Sequence, residues 1–232
     1  TRNYTLDGTS KLQYSKPSDP KTSYLTWETI ATWNIGLDMS FLNNRLTFTG
    51  DYYIRNTEGM LADSYELPGV FGAKTPDENC ADLRTNGWEL YLGWNDSFAL
   101  MGKRFNYTVS ATLGDNKTVF TKFNNPEKNL SIHYEGKVLG EIWGYRVDGL
   151  FASDEEAAEY TSKINQDAVN ERIMTDKVDP YYRAGDLKFR DLDGDNVISK
   201  GDDTAYDAGD REIIGNETPR YMYSFRLGAD WN

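Results

Sequence analysis

Residues 191–202, with the sequence DLDGDNVISKGD, are spaced like a calcium-binding loop. Carboxylates occupy positions 1, 3, 5 and 12 of this loop, at Asp191, Asp193, Asp195 and Asp202. At position 7, Val197 would offer its backbone carbonyl, as EF-hand loops do at that position. Because Ca²⁺ binds six to eight oxygen ligands in flexible geometry, this short segment supplies most of a coordination shell. We therefore predict Ca²⁺ as a structural cofactor.

Two further residues support the loop, although a solvated acidic turn that binds nothing is the alternative. Asn196 stands where an EF-hand loop prefers glycine, and asparagine is one of the few other residues that tolerate a left-handed backbone. Ile198, at position 8, is expected to anchor the loop in an apolar core. Four carboxylates this close would repel one another without a cation.

Catalysis is not indicated by the sequence. The chain has one histidine, His133, and one cysteine, Cys80, so a multi-histidine metal site and an internal disulfide are both excluded. No pair of carboxylates with a partner nucleophile is identifiable, and we predict that the protein is not an enzyme. Loop aromatic residues could stack on sugar rings, but they indicate no firm substrate site: Trp143, Tyr145, Phe151, Tyr181 and Tyr182.

The negative charge is concentrated around the acidic loop. The 232 residues carry a formal net charge of −12, and residues 150–218 hold 18 acidic against 8 basic side chains, a difference of −10. Phosphate backbones require clustered lysine and arginine, so nucleic acid is excluded as a partner. Cations are compatible with this distribution.

The elements that must position this loop are predicted to be strands. Five segments alternate strictly between apolar and polar residues, at 33–41, 45–55, 88–94, 105–113 and 221–231. Each is about as long as the roughly 9–11 residues that a tilted strand needs to cross a bilayer. No apolar run approaches the length of a transmembrane helix.

The connections between these strands alternate between short and long. Residues 42–44, LNN, form a tight turn, and residues 95–104 form the other short link. A long loop is predicted at 58–86, within a four-stranded region at 29–115, and a second at 116–219 before the last strand at 220–232. Residues 1–28 are predicted to form an extracellular loop. Short turns on one side and long loops on the other are typical of outer-membrane barrels.

One part of the second long loop is predicted to be helical. The stretch from Phe151 to Asp176 has no glycine or proline, and Ser153 followed by Glu156 has the spacing of a capping box. We expect one or two short helices that start near Asp154. The predicted fold class is all-β: a segment of an antiparallel transmembrane β-barrel with long extracellular loops that contain short helices. A soluble calcium-stabilised β-sandwich that binds carbohydrate is the alternative.

Three longer runs carry a family resemblance. GEIWGYRVDGLFASDEEAAEY, GDLKFRDLDGDNVISKGD and DREIIGNETPRYMYSFRLGADW resemble the SusC/RagA-like family of TonB-dependent outer-membrane transporters. The runs TWETIATWNIGLDMSFLNNRLTFTGDYYIRNTEGML and RTNGWELYLGW are similar to strands and turns of the same family, so the resemblance covers nearly all of residues 24–231.

The resemblance implies a barrel of about 22 strands with an internal plug. It also implies energy supplied through TonB, a SusD-like surface lipoprotein as partner, an oligosaccharide or peptide as substrate and outer-membrane lipid around the barrel. The chain lacks a recognisable plug, TonB-contact segment and signal peptide, so we expect it to correspond to the C-terminal half of such a barrel. Family members place an aspartate directly before the arginine that corresponds to Arg211, which makes Asp210 the alternative to Asp202 as last calcium ligand.

Overall fold

The computed structural model describes residues 2–5, 11–14, 24–63, 76–169 and 181–231. It contains eleven strands and one helix in these residues. Their bounds in chain order are β1 Arg2–Thr5, β2 Lys11–Tyr14, β3 Thr29–Phe41, β4 Leu46–Asp63, β5 Asp77–Leu100, β6 Lys103–Lys122, β7 Glu141–Tyr145, β8 Val147–Leu150, α1 Asp154–Thr161, β9 Leu187–Phe189, β10 Arg211–Asn216 and β11 Met222–Trp231.

Five of these strands form one antiparallel sheet in the order β11-β6-β5-β4-β3. Strands β3 to β6 are neighbours in both sequence and space, and β11 joins them after a long excursion of the chain. Strands β3 and β11 form the two edges of the sheet. The other pairs are small antiparallel sheets, namely β1-β2, β7-β10 and β8-β9. The five predicted strands are therefore confirmed, and they belong to a single sheet.

The alternation seen in the sequence separates the two faces of this sheet. One row of paired neighbours is apolar, running through Leu37, Gly50, Leu90, Leu113 and Tyr223. The adjacent row is polar, running through Asp38, Thr49, Tyr91, Thr112 and Ser224. Successive side chains of a strand point to opposite faces, so the sheet has an apolar face and a polar face.

Neither face is covered by another layer in the part of the chain that the structure describes. Every residue of β11 is exposed, as are twelve of the thirteen residues of β3. Phe225 and Leu227, on the apolar face, keep 76% and 79% of their surfaces exposed. A β-sandwich would bury this face against a second sheet, so the structure does not support the soluble alternative.

The turns at one end of the sheet are short. Leu42, Asn43 and Asn44 all have positive φ, of 54°, 57° and 65°, in the turn that joins β3 to β4. Met101 and Gly102, with φ of 53° and 78°, form the two-residue turn between β5 and β6. Positive φ at both central residues defines a type I′ hairpin turn.

Three predicted boundaries were wrong because the strands are longer than their apolar alternation. The link predicted at 95–104 is mostly strand, since β5 continues to Leu100 and β6 begins at Lys103. The loop predicted at 58–86 is shorter, because β4 ends at Asp63 and β5 begins at Asp77. Residues 116–122 belong to β6 and not to the second long loop. In these extensions the apolar residues no longer alternate strictly with polar ones, as at the adjacent pairs Cys80 and Ala81 or Val119 and Phe120, so the period-two pattern is lost although backbone pairing continues.

The region between β6 and β11, residues 123–221, is called the insertion. It contains β7 to β10 and the helix α1, and residues 170–180 lie outside the described part. Its core is apolar and aromatic, with Phe151, Ala157, Phe189 and Ile198 buried. His133 stacks on Phe120 at a ring-centroid distance of 4.3 Å, which joins the insertion to β6.

Helix α1 begins where the capping spacing predicts. Ser153 is the N-cap, and its hydroxyl accepts a hydrogen bond from the Glu156 backbone N–H at 3.2 Å. The Glu156 carboxylate accepts from the N–H of Ala152, one residue before the cap, so the capping box is offset by one position. A second helix was predicted in a stretch that overlaps 170–180, which lies outside the described residues. No helix in the described residues is long and apolar enough to cross a membrane.

The insertion also pairs with the edge of β6. The sheet strand β11 pairs with β6 only as far as Gly114, opposite Met222. Beyond Gly114, the backbone of residues 136–139 pairs with β6 in place of β11. Leu139 N–H donates to the Thr118 carbonyl at 2.9 Å, and Phe120 N–H donates to the Lys137 carbonyl at 2.9 Å. The same edge of β6 is therefore shared between β11 and the insertion.

The N-terminal region contains a small hairpin. Strands β1 and β2 pair with each other, and residues 24–28 have no regular structure. Thr26 is held by its backbone N–H, which donates to Asn79 Oδ1 at 2.8 Å. The predicted loop at 1–28 therefore contains two strands, and its extracellular position remains a prediction.

Candidate metal centre

Three of the predicted metal ligands converge in the insertion. One carboxylate oxygen from each of Asp191, Asp193 and Asp195 lies within 4.8 Å of the others. Asp193 and Asp195 are exposed and Asp191 is half-buried, so a cation could reach them from solvent. Asp202 does not belong to this cluster, and no described contact holds its carboxylate.

The loop folds around its own carboxylates. Asp191 accepts hydrogen bonds from the backbone N–H groups of Gly194 at 2.6 Å and Asn196 at 2.9 Å. Asp193 accepts from the N–H of Asp195 at 3.1 Å, and Asp195 accepts from the N–H of Val197 at 2.6 Å. Short polar side chains that bond to the backbone a few residues on favour tight turns, which explains why this composition curls into a loop.

Two residues of the loop have left-handed backbone, as the sequence predicts. Gly194 has a φ of 82°, and Asn196 has a φ of 66°. A left-handed residue reverses the chain direction over a few residues, and only glycine and asparagine adopt it at low cost. Asn196 therefore performs the turning role that glycine has in an EF-hand loop.

Ile198 anchors the loop, as predicted. Its side chain is fully buried, at 0% exposure. Its N–H donates to the carbonyl of Asn165 at 2.7 Å, and Asn165 N–H donates to the carbonyl of Asn196 at 2.9 Å. The neighbouring Val197 remains 41% exposed and projects away from the core. The loop is therefore attached to the segment that follows α1 through two backbone hydrogen bonds and one apolar side chain.

Asp210 closes the loop from outside the twelve-residue segment. It is fully buried, and its two carboxylate oxygens accept from the N–H groups of Leu192 at 2.7 Å and Ser199 at 2.8 Å. These two amides lie near the start and near the end of the loop. Between the two candidates for the last ligand, Asp210 holds the loop together in this structure, whereas Asp202 is exposed. The choice between them as a metal ligand stays a prediction.

Arg211 stabilises the turn that follows the loop. Its guanidinium donates to Asp203 Oδ1 at 2.6 Å and to the Lys200 carbonyl at 2.9 Å. Asp203 also accepts from Ser131 Oγ at 3.1 Å, and the Arg211 bond holds the pKa of Asp203 below its usual range. From the sequence, Arg211 was named only as a family landmark and Asn165 was not singled out, because the roles of both depend on contacts formed by the folded chain.

Electrostatics in the loop favour a bound cation. The backbone N–H of Asp195 lowers the pKa of Asp193, but desolvation and the carboxylates of Asp195, Asp210 and Asp191 together raise it above its ordinary value. Repulsion between the negative charges is therefore one of the causes that raise the pKa of Asp193, after desolvation. A hard divalent cation would remove this repulsion by binding the same oxygens. The donor set therefore suits Ca²⁺ chemistry.

The loop aromatic residues pack mainly within the insertion. Phe151 is 2% exposed, Tyr182 stands edge-on to it at 6.3 Å between ring centroids, and Tyr145 contacts Phe189 in the same manner at 5.9 Å. Trp143 donates its indole N–H to Glu141 at 2.9 Å. Tyr181 alone of the five is largely exposed, at 74%. The other four aromatic residues therefore pack within the insertion and do not form an exposed surface on which sugar rings could stack.

The fold and these features define a segment of an outer-membrane type of β-barrel, with an acidic insertion at the end opposite the tight turns. The chain matches the family model described as "TonB dependent receptor-like, beta-barrel" over residues 3–197. The chain belongs to this family.

Two curated relatives illustrate the relationship. TonB-dependent receptor P39 of Formosa agariphila is 28% identical over 232 residues, which cover 90% of this chain and 21% of the relative. TonB-dependent receptor SusC of Bacteroides thetaiotaomicron is 25% identical over 236 residues, which cover 94% of this chain and 21% of SusC. The chain spans about a fifth of the length of these relatives. They are named receptors and not enzymes.

Solved structures show the same fold. The RagAB peptide importer in its open-open state matches with a TM-score of 0.58 and 22% identity, over 99% of this chain and 21% of that chain. The structure of the RagAB peptide transporter matches with a TM-score of 0.55 and 21% identity. The five-stranded sheet is therefore part of a TonB-dependent type of barrel that is not closed by these strands alone.

Proposed function

We propose that this chain forms part of a TonB-dependent outer-membrane importer of oligosaccharides, peptides or other large nutrients. The observation that carries the proposal is the single-layered sheet, which has an exposed apolar face, a polar face and, among the described residues, two edges that pair with no further strand of the sheet. Unpaired strand edges are not tolerated in lipid, so neighbouring strands must complete the barrel. The apolar face then contacts lipid and the polar face lines the lumen.

The height of the apolar face fits a membrane. On β5 the outward positions from Trp88 to Phe98 are apolar except Asp96, which pairs with Arg45 at 3.4 Å near the turn end. The ten residue-to-residue steps from Trp88 to Phe98 span about 34 Å along the strand. At a strand tilt of about 40° this corresponds to about 26 Å along the membrane normal, close to the apolar band of about 25 Å in outer-membrane barrels.

The partners follow from the family and from the side on which the insertion lies. Long connections in such barrels are extracellular, so we place the insertion and its acidic loop at the cell surface. A SusD-like surface lipoprotein would then meet the insertion, and TonB would act on a region of the protein outside the strands described above. The likeness to the RagAB peptide importer supports a peptide as substrate. An oligosaccharide is the other substrate class that the SusC/RagA-like resemblance implies.

The transport proposal is tested in the bacterium that produces the protein. Three strains are compared with the wild type: one without the gene, one in which the gene is restored, and one without TonB. Uptake of fluorescent oligosaccharides and peptides is measured in each strain, and membrane fractionation locates the protein. We expect the protein in the outer membrane and uptake of one substrate class only when both the gene and TonB are present. Recovery of the protein as a soluble monomer without detergent would refute the membrane assignment.

We further propose that Ca²⁺ orders the acidic loop. Asp191, Asp193 and Asp195 would provide side-chain oxygens, Val197 a carbonyl, and Asp202 or Asp210 the last ligand. The convergence of three carboxylates around left-handed Gly194 and Asn196 supports this proposal. The ion would act as a structural clamp, since the single cysteine of these 232 residues cannot form a disulfide within them.

The calcium proposal is tested by titrating Ca²⁺ into the purified full-length transporter. The Asp193→Ala variant is expected to bind at least about tenfold more weakly, because it removes a charged ligand. Asp202→Ala tests the last ligand, since weaker binding assigns it to Asp202 and unchanged binding leaves Asp210. Glu159→Gln on α1 is the control for loss of an exposed negative charge. Equal affinity in wild type and Asp193→Ala would reject the ligand set.

A further inference from the structure

A basic patch lies on the outward face of β5 and β6, directly beyond the apolar belt. Trp88 and Asp115 are paired neighbours at the upper limit of that belt. The next outward pair is Asn86 with Lys117, followed by Arg84 with Val119. The register is regular between these positions, so Lys117 and Arg84 lie on the same face as Trp88 and are diagonal neighbours.

The depth of this patch matches the lipid head groups. Lys117 lies two residues beyond the Trp88 level, which is about 7 Å along the strand and about 5 Å along the normal at a tilt of about 40°. Arg84 lies two residues further, at about 10 Å on the same geometry. The head-group layer is about 5–8 Å thick on each side of the hydrocarbon, so the backbone of Lys117 lies within it and that of Arg84 lies just beyond it. The long side chain of Arg84 can bend back toward the layer.

No ion pair in the described part of the chain neutralises the charges of Lys117 and Arg84. Neither side chain takes part in an ion pair among the described residues, and both are exposed. Arg84 Nε donates to the neutral amide oxygen of Asn56 at 2.9 Å, which leaves the rest of its guanidinium available. Arg220, at the same level, is instead paired with Asp115 through two hydrogen bonds. Two free cations therefore face outward in a chain with a net charge of −12.

We propose that Lys117 and Arg84 bind the phosphate group of an outer-leaflet glycolipid. Arginine binds phosphate oxygens in a fork and lysine acts as a point charge, so the pair supplies the two common modes of phosphate recognition. The amide of Asn86, next to Lys117, adds a neutral donor on the same face. Trp88 below them provides the amphipathic ring that interfacial positions favour.

A lipid suits this position better than a free phosphate ion. The patch is an outward face of the barrel wall and directly continues the lipid-facing rows of β5 and β6. A soluble anion would have no contact with Trp88, whereas the acyl chains of a lipid would lie along the apolar face below it. The inference rests on the outer-membrane placement in the proposed function and not on transport of any substrate.

Lipid binding is measured with the purified full-length transporter in nanodiscs. Native mass spectrometry and binding titrations compare bisphosphorylated lipid A with its dephosphorylated form. We expect the double variant Arg84→Gln/Lys117→Gln to bind the phosphorylated lipid about tenfold more weakly. Removing the lipid phosphates is expected to weaken binding to the wild type by a similar factor.

Lys103→Gln is the matched control. Lys103 is also an outward position of β6, but it lies at the turn end, with its ammonium 5.6 Å from the ring centroid of Trp231. This variant is expected to bind the phosphorylated lipid as the wild type does. Heat-dependent mobility on gels verifies that all variants are folded barrels.

Three results would overturn the proposal. The first is equal lipid binding by the double variant and the wild type, and the second is equal binding of both lipids by the wild type. The third is full displacement of the lipid by millimolar inorganic phosphate, which would identify a site for free anions. Substrate uptake by the double variant is measured as well. If uptake persists while one of these three results is found, the lipid proposal fails and the transport proposal stands.

Discussion

At the scale of single residues, the acidic loop depends on a carboxylate that is not part of its calcium spacing. Asp210 is buried and bonds to two amides of the loop, whereas Asp202 is exposed. A buried carboxylate is stable only when its oxygens are hydrogen-bonded. Asp210 therefore has a structural role whether or not it also contacts a metal ion.

Replacing Asp210 by asparagine should destabilise the loop. The new NH₂ group would face a backbone N–H in place of an acceptor oxygen, so one hydrogen bond is lost and two donors oppose each other. We expect a local cost of about 1–3 kcal/mol. Hydrogen exchange of the Leu192 and Ser199 amides in the full-length protein measures it. Asp202→Asn is the control and should change these rates little; equal rates in all three proteins would contradict the role of Asp210.

His133 should make the insertion sensitive to acid. Partial desolvation of the imidazole, which stacks on Phe120 but stays partly exposed, lowers the pKa of His133 below the ordinary value of 6.5, and the charge of Lys137 adds to this effect. The unfolded insertion therefore binds a proton at His133 at higher pH than the folded insertion does. The contribution of His133 to stability is complete above about pH 6.5 and is lost as the pH falls below that value. Hydrogen exchange of the Phe120 and Gly136 amides, corrected for intrinsic rates, should show faster opening at pH 5 than at pH 7.5. His133→Phe should remove this difference, and its persistence there would assign it to another group.

At the scale of elements, strands in the membrane were predictable and their extensions were not. Within the bilayer, one face of each strand meets lipid and the other meets water, so side chains alternate and the pattern is visible in sequence. Above the bilayer both faces meet water or the insertion. Asn86 and Lys117 there are as polar as a loop, although β5 and β6 continue to pair through them.

The candidate site was predictable to a similar, partial extent. The left-handed turn at Asn196 and the buried anchor Ile198 follow from local spacing, and the structure confirms both. The clamp formed by Asp210 does not follow from local spacing, because it depends on a chain reversal over residues 203–209. Contacts between residues far apart in sequence, such as Arg84 with Asn56, leave no periodic signal.

The turn between β5 and β6 can be improved by one substitution. Met101 has a φ of 53°, in a left-handed region that is unfavourable for a side chain of this kind, and Gly102 follows it with a φ of 78°. Asn-Gly is the preferred pair in a type I′ turn. Met101→Asn should therefore stabilise the protein by about 1 kcal/mol. Urea titration in lipid bilayers provides the measurement, and Met101→Ala, which keeps the strain, should show no gain. A gain of equal size in both variants would indicate a cause other than the backbone.

At the scale of the whole molecule, the two faces of the sheet meet different solvents. Adjacent residues on one strand therefore experience opposite environments at the same depth. Ala111 lies in an apolar row with Leu92 and Phe225, and Thr112 lies in a polar row with Tyr91 and Ser224. This contrast tests the barrel directly.

Arginine at these two positions should have unequal effects. Ala111→Arg places a charge near the middle of the lipid-facing band and should cost about 2–4 kcal/mol. Thr112→Arg places the same charge in the lumen, and its cost should be clearly smaller. Stability is measured by urea titration of the full-length protein in bilayers, and the fraction folded by mobility on gels. If Thr112→Arg proves the more damaging, the assignment of the two faces must be reversed.

The shared edge of β6 has a consequence for the order of folding. Residues 136–139 bond to β6 across only about twenty residues of chain, whereas β11 must return from more than a hundred residues away. Local contacts form faster because a shorter loop loses less entropy. The short pairing would therefore already occupy the upper part of the edge when β11 arrives. Residues 136–139 would then prevent β11 from pairing with β6 beyond Gly114. The insertion would in this way fix the register in which Met222 pairs with Gly114.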